Sequence, residues 1–182
     1  SVATREYKLF KKVLAKIAKT DEVEDLLGDI LNDNEAKKKL IVELCRNECV
    51  TDISDYLMSQ DSLTLAGQLI KGVPLNVNNL TNFMSKEKYS LRPLHNFFFT
   101  RNSAISIRKK VLIARMASKV REREAIIMDS IFNHHPLFKA ETVNPLHHKN
   151  FTNDITIEGG DILVARDDIL LIGVSARTSS KG

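Results

Sequence analysis

Apolar residues in the first half of the chain fall at helical intervals. Tyr7, Phe10, Val13, Leu14 and Ile17 recur at helical spacing with lysines between them, which predicts an amphipathic helix. A second helix is expected over about 34–47, with Leu40, Ile41, Leu44 and Cys45 on one side. Thr51 and Ser62 have the chemistry of N-caps for two more short helices, and Gly72 that of a stop. A further short helix is expected within 76–84, and polar turns such as Asn32-Asp33-Asn34 separate the pieces. This pattern predicts a small helical bundle with short loops. Near residue 90 the pattern changes. Asn96-Phe97-Phe98-Phe99-Thr100-Arg101 is too short for a helix and has the aromatic content of a buried strand. A second strand is expected over 110–116 and a helix over about 118–132, followed by a loop holding His134, His135, His147 and His148. Residues 161–165 and 169–174 form an expected hairpin around Arg166-Asp167-Asp168. Ile169-Leu170-Leu171-Ile172 is apolar on both faces, which predicts an internal strand. The second half thus reads strand–strand–helix–strand–strand, an α/β pattern.

Composition narrows the classes. With 182 residues, 43% hydrophobic and 27% charged, the chain can bury a core as one large domain or two small ones. No apolar run approaches the roughly 20 residues of a membrane helix, and no apolar signal core follows the N-terminus, so no membrane partner and a cytoplasmic location are expected. Net charge is only +4, and basic residues alternate with acids, as in Arg121-Glu122-Arg123-Glu124. Purely basic runs are no longer than three residues, as in Arg108-Lys109-Lys110, so a nucleic-acid partner is not expected. Cys45 and Cys49 lie four apart on one expected helix face, and no further ligands stand at zinc spacing. They read as half-buried structural thiols with nothing nearby to lower their pKa, hence not as nucleophiles. Both ends are abrupt, and the chain is expected to be a fragment.

Two stretches carry candidate chemistry. Phe99-Thr100-Arg101-Asn102 ends an aromatic run in polar groups. Ile157-Glu158-Gly159-Gly160-Asp161 sets a carboxylate before two glycines, which let backbone approach a ligand or turn sharply. A glutamate presented at such a turn can accept hydrogen bonds from a cationic ligand; a plain turn with solvated acids is the alternative.

These residues resemble a known family. Pro93 and Asn96 leading into Phe99-Thr100-Arg101-Asn102 are similar to the arginine deiminase signature in which Phe-Thr-Arg is followed by Asp. Glu158-Gly159-Gly160-Asp161 with Gly173-Val174-Ser175-Ala176-Arg177-Thr178 resembles its second signature. Arg121-Glu122-Arg123-Glu124 and His134-His135-Pro136 resemble the Arg-rich helix between them, so the resemblance is carried by residues 90–178. It implies a partial pentein α/β propeller of about two modules with an inserted helical bundle. Residues 1–27 would be the tail of the first module, 28–89 the bundle, 90–150 the second module and 151–182 the start of the third.

The implied reaction hydrolyses L-arginine to L-citrulline and ammonia without cofactor or metal. Two carboxylates grip the guanidinium, a cysteine thiolate attacks its carbon, and a histidine shuttles protons. The resemblance assigns Glu158 to the grip and to proton transfer, Asn96, Arg121 and Arg177 to the substrate α-carboxylate, and Phe99 to the guanidinium plane or substrate stem. Planar guanidinium matches a carboxylate fork, and two arginines suit one carboxylate. Asn102 departs from the family by standing where its second gripping aspartate belongs. The family's cysteine and catalytic histidine have no counterpart in this sequence, so the 182 residues alone are expected to be inactive. A truncated, non-catalytic arginine-binding or interaction paralogue, and part of an amidinotransferase, are the alternatives. Strand edges left open where further modules would pack imply a homo-oligomer.

Overall fold

The computed structural model describes residues 2–147, 152 and 154–182, which form a mixed α/β structure with no closed barrel among them. Helix α1 (Val2–Leu14) forms where the spacing predicts it, yet none of its residues is buried. Tyr7, Phe10 and Val13 remain at least half exposed. The helix is tethered by polar contacts instead, because the Tyr7 hydroxyl and Lys11 Nζ both donate to the Glu22 carboxylate at 2.7 Å.

Four helices build the helical layer: α2 (Val23–Ile30), α3 (Asn34–Glu48), α4 (Ser54–Ser59) and α5 (Ser62–Lys71). The sequence reading had no element at α2. Leu27, Leu40, Ile41, Leu44, Leu57, Leu65 and Leu69 are all buried to within 2% in one core. Carboxylates start the helices: Asp33 accepts from the Glu35 and Ala36 N–H groups, and Asp61 accepts from Thr64 N–H. The cap of α5 is therefore Asp61, not Ser62, and Thr51 opens a 3-10 turn rather than capping a helix. Gly72 ends α5 at φ 87, and a Cβ there would lie 2.7 Å from the Leu91 carbonyl oxygen. Strand β1 (Val73–Pro74) pairs antiparallel with β2 (Tyr89–Leu91). Of the expected 76–84 helix only α6 (Leu80–Met84) forms, started by the Asn79 side chain.

The aromatic run is not a strand. Phe99 N–H donates to the Asn96 carbonyl and Asn102 N–H to the Phe99 carbonyl, so the chain turns there and enters α7 (Thr100–Ser103). Phe97 alone of the three phenylalanines enters the core. The first long strand comes later, as β3 (Ala104–Ile107), antiparallel to β4 (Lys110–Ile113). Helix α8 (Glu122–His134) then returns the chain to β5 (Glu141–Val143), parallel to β4, which makes a β–α–β unit. Ile126, Ile127, Met128 and Ile131 of α8 join the same core as α2 to α5. Helix α8 therefore lies between two cores, one shared with the helical layer and a second in which Ala125 meets Val111 and Ile113 of β4.

Strands β6 (Ile162–Arg166) and β7 (Ile169–Ile172) form a separate antiparallel pair. The expectation of an internal strand is corrected here: all four residues of β7 are exposed, and among the described residues no other strand pairs with it. His148 and the expected 150/151 boundary lie outside the described residues.

Candidate functional site

The fold brings the two singled-out stretches into contact. The turn Gly159–Asp161 packs on α7, with the Asp161 N–H donating to the Glu158 carbonyl at 3.0 Å. A Cβ on Gly159 would fall 2.0 Å from the Arg101 carbonyl oxygen, and one on Gly160 2.9 Å from Asn102 Oδ1. Close approach of the two segments thus requires Gly159, where the obstacle is backbone, whereas at Gly160 it is the end of the Asn102 side chain. Arg101 locks them from the other side, its guanidinium donating to the Ile162 carbonyl.

Glu158 is 2% exposed. Its Oε1 accepts from Ala117 N–H at 3.2 Å, its Oε2 faces Arg121 Nη1 at 3.5 Å, and its own N–H donates to Thr178 Oγ1 at 3.1 Å. The strongest partner of Arg121 is a residue without an assignment in the sequence: Glu124, which takes Nε at 3.0 Å and Nη2 at 2.7 Å in a two-pronged pair. That pair holds Arg121 above its ordinary pKa. The Ser103 hydroxyl also donates to Glu124, at 3.2 Å. The i,i+3 interval from Arg121 to Glu124 is a helical pairing distance and was the available signal. Two residues before Glu124, buried Glu122 has Arg115 Nη1 at 2.7 Å from its Oε1, close in charge though not aligned as a hydrogen bond. Burial pushes the Glu122 carboxyl up, opposed by Arg115. Three buried carboxylates thus face two guanidinium groups.

Among the other candidates, Asn102 is partly buried beside Gly160, while Asn96 and Phe99 are exposed, the Phe99 ring resting on Phe98 with centroids 4.0 Å apart. Arg177 is exposed on a turn closed by Ser175 N–H donating to the Thr178 carbonyl at 2.9 Å. That turn is stapled to the glycine motif, since the Ser175 hydroxyl donates to Asp161 Oδ2 at 2.8 Å. The hydroxyls of Thr178 and Ser175 hold Asp161 below its ordinary pKa. Arg121 and Arg177 therefore differ in setting: the first is enclosed by carboxylates and the second is open to solvent.

The cysteines lie apart, in α3. Cys45 is buried, and burial raises its thiol pKa. Cys49, rather than sharing that environment, is exposed just past the helix with φ 58. His135, at the end of α8, is buried with Nε2 3.3 Å from Asp29. His147 is exposed. Among the described residues no helix is long and apolar enough to cross a membrane.

A buried carboxylate, faced by a guanidinium and followed by a glycine turn, makes a polar cluster on a mixed α/β scaffold. The arginine deiminase family model matches residues 3–182. The chain is 34% identical to the arginine deiminase of Borrelia recurrentis (strain A1), over 99% of this chain and 47% of that protein. It is 32% identical to arginine deiminase 1 of Staphylococcus epidermidis (strain ATCC 12228 / FDA PCI 1200), over 95% of this chain and 41% of that protein. It is 30% identical to the arginine deiminase of Listeria monocytogenes serovar 1/2a (strain ATCC BAA-679 / EGD-e), over 87% and 41%. The chain belongs to the arginine deiminase family, and it spans less than half the length of these relatives.

Proposed function

We propose that this chain is the guanidinium-gripping part of an arginine deiminase-like amidine hydrolase, which converts L-arginine and water to L-citrulline and ammonia. The observation that carries the reading is the buried Glu158 carboxylate, held by Ala117 N–H and only loosely by Arg121. At 3.5 Å, the Arg121–Glu158 contact is the weakest of the three to these carboxylates, so a substrate guanidinium can replace it while Arg121 keeps its two bonds to Glu124. Glu158 then accepts N–H groups from the substrate and takes part in the proton transfer that delivers a proton to the leaving nitrogen as ammonia departs. Asn102 lies beside it as the second gripping residue. Arg121, Arg177 and Asn96 receive the α-carboxylate, and Phe99 covers the substrate stem. A cysteine thiolate and a histidine from outside these residues complete the chemistry.

The scaffold fits a partial pentein propeller. In this reading 1–27 end one module, 28–89 are an inserted bundle, 90–150 are the second module built on the β–α–β unit, and 151–182 begin the third. The cytoplasm is the proposed location, and a homo-oligomer the proposed assembly.

Titration calorimetry with L-arginine, paired with a citrulline assay, tests the function. The chain should bind L-arginine, lose that binding in Glu158→Ala, and release no citrulline. Absence of binding would favour a non-catalytic interaction module. Citrulline formed by the pure chain would show that the nucleophile lies within it.

A further inference from the structure

We infer that Glu122 is a positioning residue for Glu158, acting through Arg115. The inference rests on the proposed role of Glu158, but the geometry that carries it is independent of any ligand.

The segment between β4 and α8 is what holds Glu158. Arg115 pairs with Ile157 in both directions, each N–H donating to the other's carbonyl at 3.0 Å. Two residues on, Ala117 N–H donates to Glu158 Oε1 at 3.2 Å. The segment therefore fixes both the backbone leading into Glu158 and one of its carboxylate oxygens. Ala114 and Met116, buried at 3%, anchor the alternate side chains in the core.

Arg115 is the handle on that segment. Its guanidinium reaches Glu122 Oε1 at 2.7 Å, from the first turn of α8. Glu122 is 1% exposed; Arg115 and the Met116 backbone N–H stabilise its charge without full hydrogen-bond alignment, and Arg115 Nε is buried and unpaired. A buried, under-satisfied ion pair contributes little to stability compared with apolar side chains of the same size. Such a pair calls for a reason other than stability. Here it holds Arg115 at a fixed distance from α8, the helix that carries Glu124 and begins directly after Arg121. The pair thus sets the spacing between the 115–117 segment, which holds Glu158, and the start of α8, where Arg121 reaches Glu158 at 3.5 Å. Without the Glu122 charge, Arg115 is released and the Ala117 N–H is no longer held to Glu158.

The test reads the Ala117 amide proton in nitrogen-15 spectra of the whole chain across a pH series, alongside thermal unfolding. In the wild type this proton should lie downfield and follow the ionisation of Glu158. Glu122→Gln should move it upfield and weaken its pH response in a chain that still folds. Arg115→Gln, altered at the more exposed end of the pair, should give the same change, and Glu122→Asp should restore part of it. If the wild type binds L-arginine, Glu122→Gln should weaken that binding by up to roughly a hundredfold, the scale expected of a misplaced group. A lower unfolding midpoint with an unchanged Ala117 signal would reduce Glu122 to a structural ion pair and overturn the inference. Should neither variant fold, the wild-type titration decides: an Ala117 signal that ignores Glu158 overturns the inference equally. Lack of arginine binding by the wild type would count against the proposed function alone.

Discussion

Asn102 Oδ1 stands 2.9 Å from where a Cβ on Gly160 would be, so its carboxamide lies against the turn that carries Glu158. A carboxamide differs from a carboxylate there by one acceptor replaced with an NH2 donor. Guanidinium offers only donors, so the replacement costs roughly 2–4 kcal/mol of its affinity. Asn102→Asp should therefore strengthen L-arginine binding by about thirtyfold or more, the conversion of the lower figure. The same change sets a second carboxylate near Glu158, and like charges raise the cost of ionising both. The ligand-free variant should then unfold at a lower temperature than the parent, and L-arginine should recover the difference. Calorimetric titration and thermal unfolding with and without L-arginine check both halves. Unchanged affinity would remove Asn102 from the grip.

Helix α8 carries the site because its charged residues are buried along with its apolar ones. Arg123 is 1% exposed; its guanidinium donates to the Arg92 carbonyl, its Nε lies 3.6 Å from Glu48 Oε1, and its Nη1 has no partner. It thus ties α8 to the end of α3 by a long, incomplete ion pair. Removing one partner strands the other charge, whereas replacing the buried cation with an apolar side chain removes its desolvation cost. Because Glu48 keeps some solvent contact, Glu48→Ala should destabilise by about 1–3 kcal/mol, less than a fully buried pair would lose. Arg123→Met should change stability by no more than about 1 kcal/mol. Urea unfolding of the single variants and of the double variant separates these effects; a larger loss for Arg123→Met than for Glu48→Ala would reverse the assignment. This burial is also what the sequence conceals. Alternating charges such as Arg121-Glu122-Arg123-Glu124 look like a solvated face, and no periodicity distinguishes a buried ion network from it. Glu158 was legible because two glycines follow it, and glycine pairs mark close approach. Helices α3 and α8 were legible within a few residues, since each presents apolar positions at helical spacing. The aromatic run at 96–101 was not, because three consecutive phenylalanines carry no alternation, and hydrogen bonds back to Asn96 and Phe99 fold it into turns. Strand β5 has three residues and is fixed by pairing with β4, a partner some thirty positions away, which local pattern cannot convey.

At the scale of the whole molecule, the apolar surface is unevenly covered. Leu27, Leu65 and Ile127 are sealed in the shared core, while β6 and β7 expose Leu163, Val164, Leu170 and Leu171 on a two-stranded ribbon. The pairing Leu163↔Leu171 and Val164↔Leu170 places apolar residues on both faces, so turning the ribbon over would hide neither set. A strand with this composition and an unpaired edge is a template for another strand. Exposed apolar surface on this scale also marks contact with other protein. The homo-oligomer proposed above would use the hairpin as its contact. Sedimentation velocity over a range of micromolar concentrations should show species heavier than one chain, with their fraction rising with concentration. Leu170→Lys together with Leu171→Lys puts one charge on each face and should return the chain to a monomer, because lysine on an open edge opposes strand addition. The core lies elsewhere, so the unfolding midpoint of this variant should stay near that of the parent. A monomeric parent, or a variant that associates as strongly, would mean that the hairpin is not the contact. Association that survives the double substitution would shift attention to the exposed stripe of α1, where Tyr7 and Phe10 are as uncovered as the hairpin.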